Sequence, residues 1–535
     1  MPLAKLLSGA LNGIGALRVE IEADVSRTGD PQIVVVGLPD AAVKESHHRV
    51  STAIANSGFR PFEGRTTVNL APADVHKDGS LFDLPIALAI LVASGEVPLD
   101  GSRRRRRPGD PSAPPLRPMD PATTALAGEL SLGGELRPVR GVLPLALAMR
   151  DAGATDFLVP EANAPEAAVV RGLRVWPARS LRHAADLLSG ADAGRTRPVE
   201  ADLDALFAAG PAAAPDFVDV KGQEMAKRAV QVAVAGGHNL LMVGPPGTGK
   251  SMLARRIPSI LPPMSVEEAL ELTQIHSVAG LLPPGTALLR ERAFRAPHHT
   301  VSDVGLVGGG SRPAPGEITL AHLGVLFLDE LPEFSRSALE VMRQPMEDGF
   351  VTISRASGTA RFPARFMLVA AMNPCPCGHY GDPNRPCRCT RTQIQRYRAR
   401  LSGPLLDRID LHVAVAPARL QDLQTIPAGA SSAELREGVA RARAAQARRF
   451  ADRPGARRTN AAMERADLER FCRMDGECLQ VMNFAISQMG FSPRAHDRIL
   501  KVARTIADLD GREALRPSDL QEALSYRALD RSLWT

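Results

Sequence analysis

The sequence contains few aromatic residues, no long apolar run and little charge imbalance. Phe, Tyr and Trp make up 4% of the 535 residues, a bias that accompanies abundant Ala, Arg and Pro and has little functional meaning. No apolar run approaches the roughly 20 residues that a bilayer-spanning helix needs, which excludes membrane-spanning helices. The formal net charge is +6, from 65 basic and 59 acidic residues, so nucleic-acid binding is permitted but not required.

The sequence also has no sign of a secreted protein. Residues 1–17 contain one Lys and a weakly apolar stretch, and they lead directly into a strand-like segment from Arg18, so we expect no signal peptide. The six cysteines do not suggest a disulfide framework, because four of them fall within fifteen residues. We therefore expect a cytoplasmic protein with clustered thiols.

The length and composition that remain are those of a multidomain globular protein. An apolar fraction of 44% leaves ample material for cores, and 535 residues correspond to about three domains. Residues Arg103 to Arg107 predict a solvated, disordered loop, with a nucleic-acid or phosphate contact as the alternative. We expect a first unit at 1–190 with a basic, Pro-rich insert at about 100–121, a linker at 191–215, a nucleotide-binding unit at 216–416 and a helical unit at 417–535.

A glycine-rich loop follows an apolar segment near the middle of the chain. Asn239-Leu-Leu-Met-Val243 predicts a buried strand, and the loop after it ends in Lys-Ser. This is the phosphate cradle of a P-loop NTPase, in which backbone N–H groups face a polyphosphate, Lys250 reaches the outer phosphates and Ser251 serves Mg²⁺. A chance Gly-rich turn is the alternative. The predicted nucleotide-binding loop consists of Gly244, Pro245, Pro246, Gly247, Thr248, Gly249, Lys250 and Ser251.

Two further apolar runs end in polar side chains that suit nucleotide hydrolysis. Val325-Leu-Phe-Leu328 leads into Asp329 and Glu330, and Leu368-Val-Ala-Ala-Met372 leads into Asn373. Buried parallel strands have this composition, and their carboxyl ends face the ligand crevice. We expect Asp329 to hold Mg²⁺, Glu330 to polarise the attacking water and Asn373 to orient that water. Helix N-terminal acids and an ordinary Asn-Pro turn are the alternatives.

Four cysteines form two Cys-X-Cys pairs separated by nine residues. Cys375 with Cys377 and Cys387 with Cys389 flank a turn-rich loop. Four thiolates can surround one tetrahedral Zn²⁺, and because no coordination position is left open, such a site would fold the loop rather than catalyse. Reduced free thiols or an occasional disulfide are the alternatives.

Taken together, these motifs resemble one protein family. The phosphate loop, the Asp-Glu strand end and the strand-end Asn, in this order, are similar to an AAA+ ATPase, which implies a parallel sheet flanked by helices with an α-helical lid. More specific motifs, over nearly the whole chain, resemble the magnesium-chelatase-like YifB/ComM family of bacterial AAA+ proteins. These motifs are Pro297-His-His-Thr300, Gly308-Gly-Gly310, Pro315-Gly-Glu-Ile-Thr-Leu-Ala-His322, Phe327-Leu-Asp-Glu-Leu-Pro-Glu-Phe334, Met372-Asn-Pro-Cys-Pro-Cys-Gly378 and Gly403-Pro-Leu-Leu-Asp-Arg-Ile-Asp410.

The resemblance implies a homo-oligomeric ring of six subunits with ATP and Mg²⁺ at each subunit interface. Arg408 matches the arginine finger that a neighbouring subunit supplies to stabilise transition-state charge. A surface arginine in a salt bridge is the alternative for this residue. Arg494 matches the sensor arginine of the lid, and Arg498, one turn further on, is a rival for that role.

Two segments resemble additions found in this branch of AAA+ proteins. Residues 296–322 would be an insert within the second core helix; the adjacent His298 and His299 in it do not predict a metal pair. Residues 350–362 would form a β-hairpin before the Asn373 strand, and the alternating pattern around a Ser-Gly turn predicts this hairpin directly. Its implied role is DNA contact in the ring channel, with solvated arginines as the alternative. The arginines concerned are Arg355, Arg361 and Arg365.

The first unit resembles the Lon-protease-like domain of the same family, an α+β fold of the ribosomal S5 domain 2 type. A Lon-type Ser-Lys dyad needs a Ser after a Lys-Asp-Gly-Pro motif and a Lys two strands later. The matching stretch places Leu81 at the nucleophile position, with Ser80 one place off, and Leu143 and Leu145 stand where Lys is expected. Because both chemical groups are absent, we predict an inactive domain used for assembly or partner contact.

The resemblance finally implies a function, a DNA helicase or translocase that drives branch migration during natural transformation and acts on single-stranded or branched DNA. The first alternative is a magnesium-chelatase-type ATPase that remodels a protein partner, but the Lon-like domain and the four-cysteine loop favour the DNA motor. A regulatory nucleotide-binding module is the second alternative, and the intact Lys250, Glu330 and Arg408 argue against it.

Overall fold

Two units, each with its own sheet, make up the fold in the computed structural model. One unit comprises Met1–Gly210 with Ala269–Leu289, and the other comprises Pro211–Glu268 with Arg290–Thr535. The run Arg103 to Arg107 lies outside the described residues. The structure describes residues 3–26, 28, 32–60, 64–74, 77, 79–99, 118–192, 194–208, 215–310, 313–355, 358–382, 385–417, 429–453, 458–489 and 493–527.

The first unit contains a mixed seven-stranded sheet. The strands of this unit are β1 (Leu3–Asn12), β2 (Gly15–Val25), β3 (Gln32–Val36), β4 (Arg65–Ala71), β5 (Thr124–Leu126), β6 (Glu129–Leu130), β7 (Leu136–Arg137), β8 (Asp156–Pro160) and β9 (Arg174–Ala178). Strands β6 and β7 form a separate two-stranded ribbon, and the others form the sheet. The order is β3-β4-β2-β1-β5-β8-β9. Strands β1 and β2 form an antiparallel hairpin, and β5, β8 and β9 are parallel to one another.

The helices of this unit pack on that sheet. They are α1 (Ala41–Asn56), α2 (Asp83–Ala93), α3 (Val142–Asp151), α4 (Ala164–Ala168), α5 (Leu181–Leu188) and α6 (Leu203–Ala208). The Asp40 carboxylate caps α1 by accepting from the Val43 backbone N–H at 2.7 Å. Helix α2 is apolar on all sides, and its residues from Asp83 to Leu91 are buried, as expected for a central helix.

The second unit contains a five-stranded parallel sheet. The strands of this unit are β10 (Leu240–Val243), β11 (Phe294–Arg295), β12 (Gly308–Gly309), β13 (Ala314–Pro315), β14 (Val325–Leu328), β15 (Phe350–Arg355), β16 (Gly358–Pro363), β17 (Met367–Met372) and β18 (Leu411–Ala414). Strands β12 and β13 form one separate antiparallel ribbon, β15 and β16 form another, and the remaining strands form the sheet. The order is β11-β14-β17-β10-β18, and every neighbouring pair is parallel. Strands β10, β14 and β17 are buried throughout, which explains their continuous apolar runs.

Helices surround this sheet and continue into a helical C-terminal region. They are α7 (Glu224–Gly236), α8 (Lys250–Arg256), α9 (Val266–Ala279), α10 (Asp303–Val307), α11 (Glu317–Leu320), α12 (Arg336–Val341), α13 (Arg343–Asp348), α14 (Arg391–Arg398), α15 (Gly403–Leu406), α16 (Ser432–Arg449), α17 (Arg465–Phe471), α18 (Gly476–Met489), α19 (Pro493–Leu509) and α20 (Pro517–Ser525). Helix α7 packs against both α16 and α19, and residues 269–279 of α9 belong to the first unit. None of the helices in the described part of the chain combines the length and apolarity that a bilayer crossing requires.

The predicted division of the chain can be set beside the described elements. The predicted linker at 191–215 contains the short helix α6, which carries Leu203 into a buried position. The four-part division of the chain stays a prediction, although 216–416 and 417–535 fall in one unit apart from residues 269–289, which belong to the other.

Candidate functional site

The glycine-rich loop connects β10 to α8 with the backbone conformations that its glycines allow. Gly247 has φ 77° and Gly249 has φ 89°, in the left-handed region that favours glycine. Gly244 is required for a different reason, because an added Cβ would lie 2.2 Å from the carbonyl oxygen of Val415, just after β18. A loop of this shape at the start of a helix suits a polyphosphate.

Lys250 is the first residue of α8, and its side chain reaches back into the loop. Its Nζ donates to the carbonyl oxygens of Gly244 at 2.7 Å and Pro245 at 2.8 Å, and it lies 3.3 Å from Asn373 Oδ1. Burial lowers the pKa of Lys250, against the opposing effect of the Asp329 and Glu330 charges. The lysine is thus held inside the loop, where a phosphate could replace the carbonyl oxygens as its partner.

Ser251 and Asp329 form a pair with the chemistry of a magnesium site. The Ser251 hydroxyl donates to Asp329 Oδ2 at 2.6 Å, and the Glu330 backbone N–H donates to Asp329 Oδ1 at 2.9 Å. A hydroxyl and a carboxylate oxygen are ligands that Mg²⁺ accepts in nucleotide sites. The donor set therefore fits the predicted ion.

Sheet order brings together the strand ends that the sequence could only place separately. Because β14, β17 and β10 are adjacent and parallel, their carboxyl ends lie side by side, with Asp329 and Glu330 after β14 and Asn373 after β17. Glu330 has φ 53°, and its side chain is 54% exposed. A half-exposed carboxylate beside the loop is accessible to water, as the predicted role requires.

The sequence reasoning missed one neighbour of Glu330. His299 Nδ1 lies 3.5 Å from Glu330 Oε2, and the imidazole packs edge-on against Phe334 with ring centroids 6.4 Å apart. His299 follows β11, the strand next to β14, so its position could be found only with the strand order in hand. The neighbouring His298 instead contacts Thr300 Oγ1 at 2.9 Å.

The arginine predicted as the finger and the arginine predicted as the lid sensor lie in different environments. Arg408, just after α15, is 12% exposed and bound to Glu347 of its own chain. Arg494, in the first turn of α19, is exposed. Its rival Arg498 lies 3.6 Å from Asp410, and burial lowers the pKa of Arg498. The assignment of the sensor role to Arg494 rather than Arg498 stays a prediction.

The four clustered cysteines bring their sulfur atoms together. All four Sγ atoms lie within 4.8 Å of one another, with Cys375–Cys377 at 3.4 Å, Cys375–Cys387 at 3.7 Å and Cys377–Cys387 at 3.6 Å. Sulfur atoms at about 2.3 Å from a tetrahedral Zn²⁺ are about 3.8 Å apart, whereas a disulfide needs about 2.05 Å. Backbone N–H groups lower the pKa of Cys377 to about 6, which favours a thiolate. The fourth cysteine, Cys389, completes a donor set that fits zinc.

The predicted hairpin forms, but its arginines are not equivalent. In the β15–β16 ribbon Arg361 pairs with Thr352, and its guanidinium lies 3.5 Å from the Phe350 ring centroid. Arg365 is exposed and lies two residues beyond β16, so it is not part of the hairpin. The side chain of Arg355 falls outside the described residues.

The first unit places core leucines at the positions where a Lon-type Ser-Lys dyad would stand. Leu81 is 5% exposed, and Leu143 and Leu145 on α3 are fully buried. Ser80 donates its hydroxyl to Glu129, a carboxylate rather than a lysine. The inactivity of this domain stays a prediction.

The strand order β11-β14-β17-β10-β18, with the glycine-rich loop after β10 and the acidic pair after β14, defines a P-loop NTPase fold of the AAA+ class. Family models described as "Magnesium chelatase, subunit ChlI", its C-terminal part and "Subunit ChlI of Mg-chelatase" match residues 216–423, 429–527, and 21–104 with 116–163. The chain belongs to the magnesium-chelatase-like YifB/ComM family of AAA+ ATPases, which confirms the resemblance drawn from its motifs.

Full-length relatives support this assignment. The chain is 42% identical over 539 residues to the uncharacterized protein YifB of Salmonella typhimurium, covering 100% of this chain and 98% of that protein. It is 42% identical over 537 residues to the competence protein ComM of Haemophilus influenzae, covering 100% and 99%. A shorter stretch of 154 residues is 31% identical to Lon protease 2 of Bacillus subtilis, and it covers 26% of this chain and 26% of that protein. The predicted fold class, an AAA+ core with a Lon-like N-terminal part, is thereby confirmed.

Proposed function

We propose that this protein is an ATP-hydrolysing ring motor that acts on DNA and promotes its integration during natural transformation or recombination. The observation that carries the proposal is the convergence of Lys250, Ser251, Asp329 and Asn373, linked by contacts of 2.6 Å and 3.3 Å at adjacent strand ends. Full-length similarity to a protein named for competence supports DNA as the substrate.

In the proposed reaction each strand end has a separate task. The backbone of the glycine-rich loop and Lys250 Nζ would bind the β- and γ-phosphates, and Ser251 and Asp329 would hold Mg²⁺, an ion that would neutralise phosphate charge. Glu330 polarises the attacking water, and Asn373 orients this water in line with the γ-phosphorus.

The ring supplies the rest of the site. Arg408 of one subunit would stabilise charge that develops on the γ-phosphate bound by its neighbour, and Arg494 would sense the nucleotide from the lid. A ring of six such subunits provides the channel toward which the β15–β16 hairpin would present Arg355 and Arg361, with Arg365 beside it.

The DNA contact of the hairpin can be tested through its salt dependence. Because each phosphate contact to a single strand contributes about 0.7 to the slope of log K against log salt, Arg361→Gln should reduce that slope by roughly 0.7 and weaken binding to all sequences alike. Binding of a labelled single-stranded oligonucleotide between low and moderate salt measures it. Arg441→Gln, an exposed arginine of α16 paired with Glu437, serves as the control. An unchanged slope in Arg361→Gln would count against a hairpin contact.

Structural zinc in the four-cysteine loop is a further part of the proposal. Purified protein kept reduced should contain about one zinc per chain, and Cys387→Ser should lose it because three thiolates remain. Elemental analysis of the purified protein measures the ratio. Cys472→Ser is the matched control, since Cys472 is buried in the helical region and contacts Leu500 O. Wild-type protein without stoichiometric zinc would end the claim.

The overall function is tested by ATPase rate and strand displacement with forked DNA, a four-way junction and no DNA. A DNA motor should hydrolyse ATP severalfold faster with a branched substrate and should separate its strands. ATP hydrolysis with neither stimulation nor displacement would favour the second candidate, a chelatase-type ATPase that remodels a protein partner. The family descriptions and a 28% identity over 164 residues to the magnesium-chelatase 67 kDa subunit of Chlorobaculum parvum favour that candidate.

A further inference from the structure

Arg408 is bound within its own subunit by Glu347. Its Nη2 donates to Glu347 Oε1, and its Nη1 donates to the Pro404 carbonyl oxygen at 2.6 Å. The Nε atom is buried and has no partner among the residues that the structure describes. The guanidinium is thus committed to a carboxylate while part of its capacity to donate hydrogen bonds remains unused.

The backbone around Arg408 is held independently of this side-chain contact. Asn239 Nδ2 donates to the Arg408 carbonyl oxygen at 2.9 Å, and the Asn239 N–H donates to Asp410 Oδ2 at 3.2 Å. Arg527 Nη1 donates to the Ile409 carbonyl oxygen at 2.6 Å. The Arg408 N–H also donates to the Leu405 carbonyl oxygen at 2.9 Å. Because these contacts hold the main chain on both sides of Arg408, its side chain can change partner by rotation.

We propose that Glu347 is a positioning residue for Arg408: it holds the guanidinium inside its own subunit and competes for it with the γ-phosphate bound by the neighbouring subunit. This inference rests on the proposed function, which assigns Arg408 to a shared ATP site. The catalytic group remains Arg408, and Glu347 acts on the reaction only through it.

The physical properties of the pair suit such an exchange. The Glu347 side chain is 57% exposed, although that of Arg408 is only 12% exposed, so water screens the pair from the glutamate side and weakens it. A terminal phosphate carries more charge than a carboxylate and accepts paired N–H groups from arginine equally well. A bound nucleotide at the interface can therefore displace Glu347, whereas an isolated subunit keeps its arginine folded back.

The position of Glu347 also links Arg408 to the hairpin. Glu347 lies in the last turn of α13, and Gly349, with φ 74°, ends that helix and leads into β15 at Phe350. A ligand that moves the β15–β16 ribbon would move the end of α13 and, with it, the carboxylate that holds Arg408. Competition at Glu347 would then depend on what the hairpin binds.

The test is the dependence of ATPase activity per subunit on protein concentration, measured for wild type, Glu347→Gln and Glu347→Ala. Both variants remove the Glu347 carboxylate that competes for Arg408. Because such a screened ion pair is weak, both variants should reach half-maximal ATPase activity at about two- to fivefold lower protein concentration than wild type. Glu437→Gln, which removes one carboxylate from the exposed Glu437–Arg441 pair at 2.6 Å, is the control and should match wild type. In the Arg408→Ala background, Glu347→Gln should have no further effect.

Each other outcome removes a defined part of the proposal. If wild-type activity depends on concentration and Glu347→Gln and Glu347→Ala match it, Glu347 does not compete and this inference alone fails. An effect of Glu347→Gln that persists without Arg408 would show that Glu347 acts elsewhere, which also overturns it. Wild-type and Arg408→Ala subunits can also be combined in the same ring. If wild-type activity per subunit does not change with concentration and the variant subunits do not inhibit such rings, the proposed shared site is wrong. The inference about Glu347 is then wrong as well.

Discussion

Glu330→Gln is expected to bind ATP normally and to hydrolyse it about 10²- to 10⁴-fold more slowly, the contribution typical of a positioned general base. The glutamine amide has nearly the shape of the carboxylate but cannot accept a proton from water. Lys250, Ser251 and Asp329 are untouched, so nucleotide affinity should change little. Steady-state turnover together with ATP binding at equilibrium measures the two properties separately.

The chain offers a close control for this substitution. Glu333 lies three residues further on, is 42% exposed and pairs with Arg400 at 2.7 Å, a surface contact of small energetic value. Glu333→Gln should therefore hydrolyse ATP like wild type. Wild-type turnover by Glu330→Gln would refute the role in water activation, and loss of ATP binding in that variant would point to a binding role instead.

The strand ends of the site could be predicted from sequence because each depends on local information. A buried parallel strand must be apolar on both faces, so the polar residues Ser251, Asp329 and Asn373 stand out where the apolar runs or the glycine-rich loop end. The order of these motifs along the chain carried the family resemblance. The sequence thus predicted the fold class, whereas the strand order of the structure shows that β14, β17 and β10 end side by side.

Contacts between residues that are distant in sequence could not be predicted in this way. Glu347 and Arg408 are 61 positions apart, and neither has a local pattern that indicates its partner. The contact of His299 with Glu330 depends on β11 lying beside β14. The hairpin, by contrast, depends on a local pattern: strand pairing ends at Pro363, one residue beyond the predicted range 350–362, and Arg365 lies outside both.

Lys250→Ala is expected to abolish ATP binding at ordinary nucleotide concentrations. Hydrogen bonds to charged groups contribute about 1.5–3 kcal/mol each, so loss of two to the phosphates should raise the Kd roughly 10²- to 10⁴-fold. Hydrolysis should disappear with binding. Calorimetric titration with ATP and Mg²⁺ measures the affinity directly, and Arg255→Ala, an exposed cation of the same helix α8, should bind like wild type.

The same variant should still fold without nucleotide, because two opposing effects partly cancel: it loses the Nζ hydrogen bonds to the Gly244 and Pro245 carbonyl oxygens, but it also loses a buried charge. Because burial lowers the pKa of Lys250, the folded protein binds that proton more weakly than the unfolded chain does. The charged lysine therefore reduces stability at any pH below its folded pKa, and this cost disappears as the pH rises toward the usual lysine value. Alanine removes the cost at neutral pH. Thermal unfolding with and without ATP separates loss of binding from loss of folding. Wild type and Arg255→Ala should show a ligand-induced increase in Tm, whereas Lys250→Ala should unfold cooperatively but show no such increase. A normal ATP-induced increase in Lys250→Ala would contradict the assignment of Lys250 to the phosphates.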